Sequence, residues 1–408
     1  MKTKTIKRGL SVLCVLALCI CQSRGQSGYR LWLDYKPLAN ERYAPHREQL
    51  TSMLFPVTDE TDGIAKRELL AALRRLLGLA PHDVEALQKA GTLVAGTPAT
   101  LPVPVREALS ERFPQMGPEG YGIYSINVQG KPVVAISANS TKGLLYGSYA
   151  FIRLLQCGAD ISDLNVTSRP KIALRVLNHW DNLDRTVERG YAGFSLWDWH
   201  RLPGYPDPRY TDYARANASI GINGTVLNNV NANALSLTRA YLEKAAALAD
   251  VFRPYGIKVY LSARFSAPME LGGLPNADPL DPRVKQWWAE KAAEIYRYIP
   301  DFGGFLVKAN SEGQPGPQNH GRSHADGANL LAEALEPYGG VVMWRAFVYD
   351  DAEPEDRAKQ AYNEFVPLDG QFRDNVIVQV KNGPIDFQPR EPFHPLFGAM
   401  SKSQLMME

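Results

Sequence analysis

Beyond Pro170 the chain alternates short apolar runs with amphipathic stretches, and this alternation constrains the fold more than any other feature of the sequence. The apolar runs lie at residues 172–179, 224–229, 258–262, 304–307, 341–344 and 376–380, and the amphipathic stretches between them at 212–219, 239–255, 283–298, 325–338 and 355–366. A strand followed each time by a helix implies a parallel sheet covered by helices. Six such units predict a TIM-type (β/α)8 barrel rather than an open doubly wound sheet, and no GxGxxG follows the first run to support a dinucleotide site. Closure needs eight strands, whereas here a seventh begins at 405–408; either the fold is something other than a barrel, or the barrel is incomplete, as in the front part of a longer protein.

Residues 26–169 read as a smaller α+β domain that ends near Arg169-Pro170, since the residue before proline resists helix. Its signals are an amphipathic helix at 65–79 with Leu69, Leu70, Leu73, Leu76 and Leu77 on one face, a hairpin at 123–137, and a helix at 141–155. The first 25 residues carry Lys2, Lys4, Lys7 and Arg8 before an apolar run at 10–20, then Ser23 and Gly25, the pattern of a cleaved secretory signal. A lipoprotein signal ending at Cys19 or Cys21 is the second option, opposed by the bulk of Leu18 and Ile20. Secretion or export to a periplasm is expected, and Cys157 would then be the sole thiol. The formal charge is only +2 and no basic block stands out, so nucleic acid is not an expected partner. Residues 170–408 form the incomplete barrel.

Chemistry in such barrels sits at the carboxyl ends of the strands. The residues that follow the runs include Asn178, His179, Trp180, Asp181 and Asn182, then Asn228, Asn229 and Asn231, then Arg264. Later runs are followed by Lys308 and Glu312, by Trp344 and Arg345, and by Lys381, Asn382 and Asp386. Two carboxylates on different strand ends suit glycoside hydrolysis, in which one holds a proton for the leaving oxygen and the other activates water or attacks carbon. Glu312 is the candidate acid, with burial near Trp344 expected to raise its pKa, and Asp386 the candidate base. Each also reads as an ordinary salt-bridged rim carboxylate. Lys308, Arg345 and Lys381 follow three different strands and could clamp a sugar carboxylate or merely neutralise the acids. Trp180 reads equally as a sugar-stacking ring or a core residue, and Asp181 and Asn182 as hydroxyl or backbone binders. His320 and His324, four residues apart, read as a solvated loop rather than a metal site. No histidine metal site is expected.

The strings VKANSEGQPGP at 307–317, MWRAFVY at 343–349 and VQVKNGPIDFQPREP at 378–392 resemble the xylan α-glucuronidases of glycoside hydrolase family 67, a likeness that runs over almost all of the chain beyond its leader. The resemblance implies removal of (4-O-methyl)glucuronic acid from xylo-oligosaccharides with inversion, without a cofactor. It implies that Glu312 is the general acid, that Asp386 is one of two carboxylates serving as base, that Lys308, Arg345 and Lys381 hold the uronate carboxylate, and that Trp180 lies at the sugar site. It further implies a helical carboxyl-terminal domain with much of a homodimer contact, and a second base carboxylate, both beyond Glu408. Two other readings are a non-catalytic carbohydrate-binding fragment and a barrel glycosidase acting on neutral sugars.

Overall fold

The computed structural model describes residues 28–38, 43–87, 90–347, 355–382 and 392–408. The segment read as a secretory signal lies outside them. The first sheet comprises β1 (Ser52–Leu54), β2 (His82–Asp83), β3 (Thr92–Gly96), β4 (Tyr121–Val128), β5 (Lys131–Ala138) and β6 (Asn165–Ser168), in the order β2-β1-β3-β5-β4-β6. It is mixed: β1, β2, β3 and β5 pair in parallel, while β4 runs antiparallel to β5 and β6. Two helices, α1 (Glu60–Leu77) and α2 (Thr141–Gln156), bury their apolar faces against it. The helix expected from residue 65 starts five residues earlier because Asp59 caps it, its carboxylate accepting from the Asp62 N–H at 2.8 Å. It ends where Gly78 turns left-handed at φ +68°.

The second sheet is wholly parallel. Its strands β7 (Val176–Asn178), β8 (Gly224–Val226), β9 (Lys258–Ser262), β10 (Gly304–Val307), β11 (Val341–Arg345), β12 (Val376–Val380) and β13 (Gln404–Met407) pair in sequence order. Between them run α3 (Pro208–Ala218), α4 (Arg239–Phe252), α5 (Pro282–Tyr298), α6 (His324–Leu335) and α7 (Arg357–Phe365). These are seven of the eight strands of a (β/α)8 barrel, as the alternation of runs predicted. Gly304 permits the β10 and β11 backbones to meet: its φ is +134°, and a Cβ there would stand 1.9 Å from the Val341 carbonyl oxygen. The sheet curls until its outer strands face each other, and Asn178 at the end of β7 donates to Glu408 just after β13 at 3.1 Å.

Alternation along each strand sorts side chains between two cores. Phe305, Val307, Val342, Trp344, Val378 and Val380 face the helices and join the large cluster that contains Trp288 and Phe365. Val226, Tyr260, Leu306 and Met343 face inward and fill the barrel with Trp180 packed against them. Counting on by two from Leu306 and Met343 reaches Lys308 and Arg345, and by the same period Lys381 follows Gln379. The pleat therefore aims three basic side chains into the barrel mouth.

Two carboxylates join the sheets. Glu68 on α1 takes both Nε and Nη2 of Arg215 on α3, and Glu119, just before β4, takes Arg175 at 2.6 Å and Lys142 at 3.0 Å. Burial pushes the Glu119 carboxyl up, but the bonds from Arg175 and Lys142 outweigh it and its pKa falls below the ordinary value. A depressed folded pKa adds stability above the unfolded value of about 4.3 and loses it as pH falls through the folded one. Glu119→Gln should therefore lower the unfolding free energy near pH 7 by about 1–3 kcal/mol. In denaturant titrations the difference from wild type should shrink in acid; a difference constant with pH would contradict this role.

Candidate active site

The barrel mouth holds two charge clusters. In the first, Lys308 leaves β10 with 3% exposure, donates to Asn231 Oδ1 at 2.8 Å and pairs with Glu312 Oε2. Glu312 and Gly313 are the central residues of a tight turn closed by Gln314 N–H to Ser311 C=O at 3.0 Å, and both have positive φ, +49° and +76°. Left-handed backbone at glutamate costs about 1–2 kcal/mol, so the turn spends stability to aim this carboxylate. Its second oxygen, Oε1, accepts from Arg189 Nη2 at 2.9 Å. Glu312 also lines a cavity of about 510 Å³ with Arg264, Phe265, Met269, Asn310 and Gln314.

In the second cluster Arg345, 1% exposed, donates through Nε and Nη2 to Glu408 Oε2 at 3.0 and 2.7 Å. Its guanidinium stands 5.8 Å from the Trp180 ring and 5.5 Å from that of Phe347. Lys381, 3% exposed, sits with its ammonium 2.8 Å from the Phe347 ring centroid. The clusters touch electrostatically: burial lowers the Lys308 pKa most, Glu312 opposes this, and Arg345 adds to the lowering.

The electrostatics of the candidate acid, Glu312, differ from the expectation. Burial raises the Glu312 pKa, but Lys308 and then Arg189 outweigh it, and the carboxyl is held below its ordinary value. Trp344 has no part in this, because it precedes Arg345 on β11 and points to the opposite face. Its indole N–H donates to His324 Nδ1 at 3.1 Å, and its ring meets Phe265 edge-on at 6.1 Å. His324 is accordingly buried at the start of α6, with Nε2 facing Glu364, and is not a solvated loop residue. Asp181 is likewise spent on structure, accepting from Ser195 Oγ and the Leu196 N–H. Asn182 is bonded to Thr186, to the Glu188 carbonyl and to Asn229. Asp386 lies outside the described residues.

Comparison with known proteins identifies the architecture. The profile of the glycosyl hydrolase family 67 N-terminus matches residues 31–151, and that of the family's middle domain matches residues 154–408. This chain belongs to glycosyl hydrolase family 67. Among curated family-67 relatives, alpha-glucuronidase A of Emericella nidulans is 40% identical over 98% of this chain and 48% of its own length. Alpha-glucuronidase A of Aspergillus tubingensis is 39% identical over 96% of this chain and 47% of its own length. The chain thus spans about half the length of the curated relatives it matches. The solved structure of CpGH84D, 10% identical, superposes with a TM-score of 0.52 over 82% of this chain and 52% of that one, a likeness of fold alone.

The structure thus brings Lys308, Glu312, Arg345, Lys381 and Trp180 to one mouth of the family-67 barrel. Sequence reasoning missed Arg189 and Glu188, because inspection of the first strand end stopped at Asn182 and these two lie on the same loop further on. It also passed over Glu408 as a counter-ion, although a carboxylate just past an apolar run is the signal used for the other strands. Trp344→Phe should lower stability by about 1–3 kcal/mol in denaturant titrations, since it removes the indole donor to His324 Nδ1; an unchanged unfolding free energy would contradict this role.

Proposed function

We propose that this chain supplies the acid and the uronate clamp of a secreted, inverting α-glucuronidase that releases (4-O-methyl)glucuronic acid from xylo-oligosaccharides. The observation that carries the reading is the burial of three cations, Lys308, Arg345 and Lys381, at the ends of three consecutive strands, each 3% exposed or less. Cations taken out of water bind a carboxylate far more strongly than surface ones do. The names of the curated relatives supply the matching substrate class.

In this reading residues 1–25 direct export, residues 26–169 and 170–408 form two domains, and the uronate carboxylate lies among the three cations with Trp180 against the sugar. Glu312 faces the cavity it lines, where the xylosyl leaving group sits, and protonates the glycosidic oxygen. Asp386, together with a carboxylate beyond residue 408, removes a proton from water on the opposite ring face. Inversion requires about 6.5–9.5 Å between acid and base carboxyls. The same reading gives the full-length protein a homodimer built on its carboxyl-terminal domain.

The test is release of 4-O-methylglucuronate from aldouronic acids by the 408-residue chain and by a full-length relative, with anomeric configuration followed by NMR. Glu312→Gln should cut turnover about 10²–10⁴-fold. Arg345→Ala should weaken glucuronate binding by about 2–3 kcal/mol while affecting a neutral sugar little. Equal losses for both sugars would reject the clamp and favour a glycosidase for neutral sugars. Undiminished function of Glu312→Gln would favour a non-catalytic binder.

A further inference from the structure

Both oxygens of the proposed acid are engaged by cations. Oε2 is held by Lys308, whose side chain is 2% exposed and fixed from behind by Asn231. Oε1 is held by Arg189 at 2.9 Å, and that side chain is 60% exposed. A carboxyl that donates to a glycosidic oxygen needs one oxygen protonated and free to face the bond. Only the Arg189 contact can be vacated without unburying a charge.

A second seat for Arg189 lies beside the first. Its Nε stands 3.4 Å from Glu188 Oε1, the Glu188 side chain is 9% exposed, and Glu188 Oε2 is buried without a hydrogen-bond partner among the described residues. Buried carboxylate oxygens are normally satisfied, so an orphan next to a movable guanidinium calls for an explanation. The loop fixes Glu188 in a turn closed by the Gly190 N–H donating to the Val187 carbonyl at 3.0 Å, and leaves the Arg189 side chain in solvent. The Glu188 N–H donates to the Trp180 carbonyl at 2.8 Å, and the Glu188 carbonyl accepts from Asn182 and Asn229 at 2.7 and 3.2 Å. Its backbone is left-handed at φ +57°, and Gly190 has φ +96°. Glu188 is thus pinned beside the sugar-site tryptophan, while Arg189 hangs between an anchor and a glycine.

We propose that Arg189 is a removable counter-ion for Glu312, a positioning residue that occupies the acid's outer oxygen until a leaving-group sugar enters the cavity and transfers it to Glu188. The inference rests on the assignment of Glu312 as the acid. Among the described residues, the charged and titratable groups around Glu312 are Lys308 from the end of β10, Arg189 and Glu188 from the loop after β7, and Arg264, which follows β9, with His320, both of which line the same cavity. Arg345 acts from β11 on Lys308. With Arg189 seated, two cations keep the carboxyl anionic. With Arg189 withdrawn, burial and a sugar oxygen favour the proton. Without sugar the enzyme thereby stores its acid as a carboxylate, and occupancy of the cavity by the xylosyl leaving group arms it.

The test is a carbon-13 NMR titration of the glutamate carboxyl carbons of the 408-residue chain, with Glu312 assigned by its loss in Glu312→Gln. Arg189→Ala should move the Glu312 midpoint up by about one pH unit, and Arg189→Lys should keep most of the low value. Xylotriose, standing for the leaving group, should raise the wild-type midpoint and leave that of Arg189→Ala where it is. A midpoint unmoved by Arg189→Ala, or raised equally by xylotriose in both proteins, would overturn the proposal. The alkaline limb of kcat/KM on aldouronic acids should show the same shift. A midpoint that moves in a chain that shows no turnover even when extended by the carboxyl-terminal half of a relative would reject the hydrolase reading and leave the counter-ion exchange standing; turnover with an unmoved midpoint would reject the exchange alone.

Discussion

An ammonium and a guanidinium group buried at the ends of adjacent parallel strands cost several kcal/mol each in lost hydration, and a fold that keeps them there must supply opposite charge at close range. Lys308 and Arg345 stand in that position, and their counter-ions come from different places. Glu312 is delivered by a turn four residues beyond Lys308, whereas Glu408 arrives from just past β13, two strands away from Arg345. The second pairing, with the Asn178 bond to the same carboxylate, requires the sheet to curl. Electrostatics at the mouth and curvature of the barrel are therefore one feature seen at two scales.

The same constraint sets the chemistry. In the proposed reading Arg345, held dry by Glu408, is poised to exchange that partner for a ligand's carboxylate, which offers equal charge with little further desolvation. Cations also work against an acid that must carry a proton, and Glu312 is held anionic by its two cationic neighbours. In the proposed reading a clamp for an anionic sugar and a proton donor placed four residues apart are in conflict until something relieves one of the positive charges. Arg189, solvent-exposed and next to a Glu188 oxygen without a hydrogen-bond partner among the described residues, is the neighbour inferred to move.

Much of the barrel was legible because strand and helix carry different periods and recur in strict order. Runs 258–262, 304–307 and 376–380 coincide with β9, β10 and β12. The first strand was read as 172–179, yet only Val176–Asn178 is paired, since its apolar beginning at Ile172 is exposed and leads into the sheet from outside. Strands β1 and β3 of the first sheet went unread: Ser52–Leu54 is too short, and Thr92–Gly96, buried throughout, shows no alternation. At the site, strand-end position located Lys308, Arg345 and Lys381, because the pleat alone decides which side chains face inward. It could not foresee that Trp344 and Arg345 would part company across the sheet, nor that a loop tied by Asn182 and Asn229 would return Arg189 to Glu312. Such contacts depend on left-handed residues and on pairings over 123 positions, which leave no periodic trace.

The most direct measurement is a crystal structure of this chain soaked with glucuronic acid. The C6 carboxylate should lie among Lys308, Arg345 and Lys381, with the ring against Trp180 and C1 directed toward Glu312. Glucuronate bound outside the barrel mouth, or bound there with its carboxylate turned to solvent and its hydroxyls on the three cations, would contradict the account.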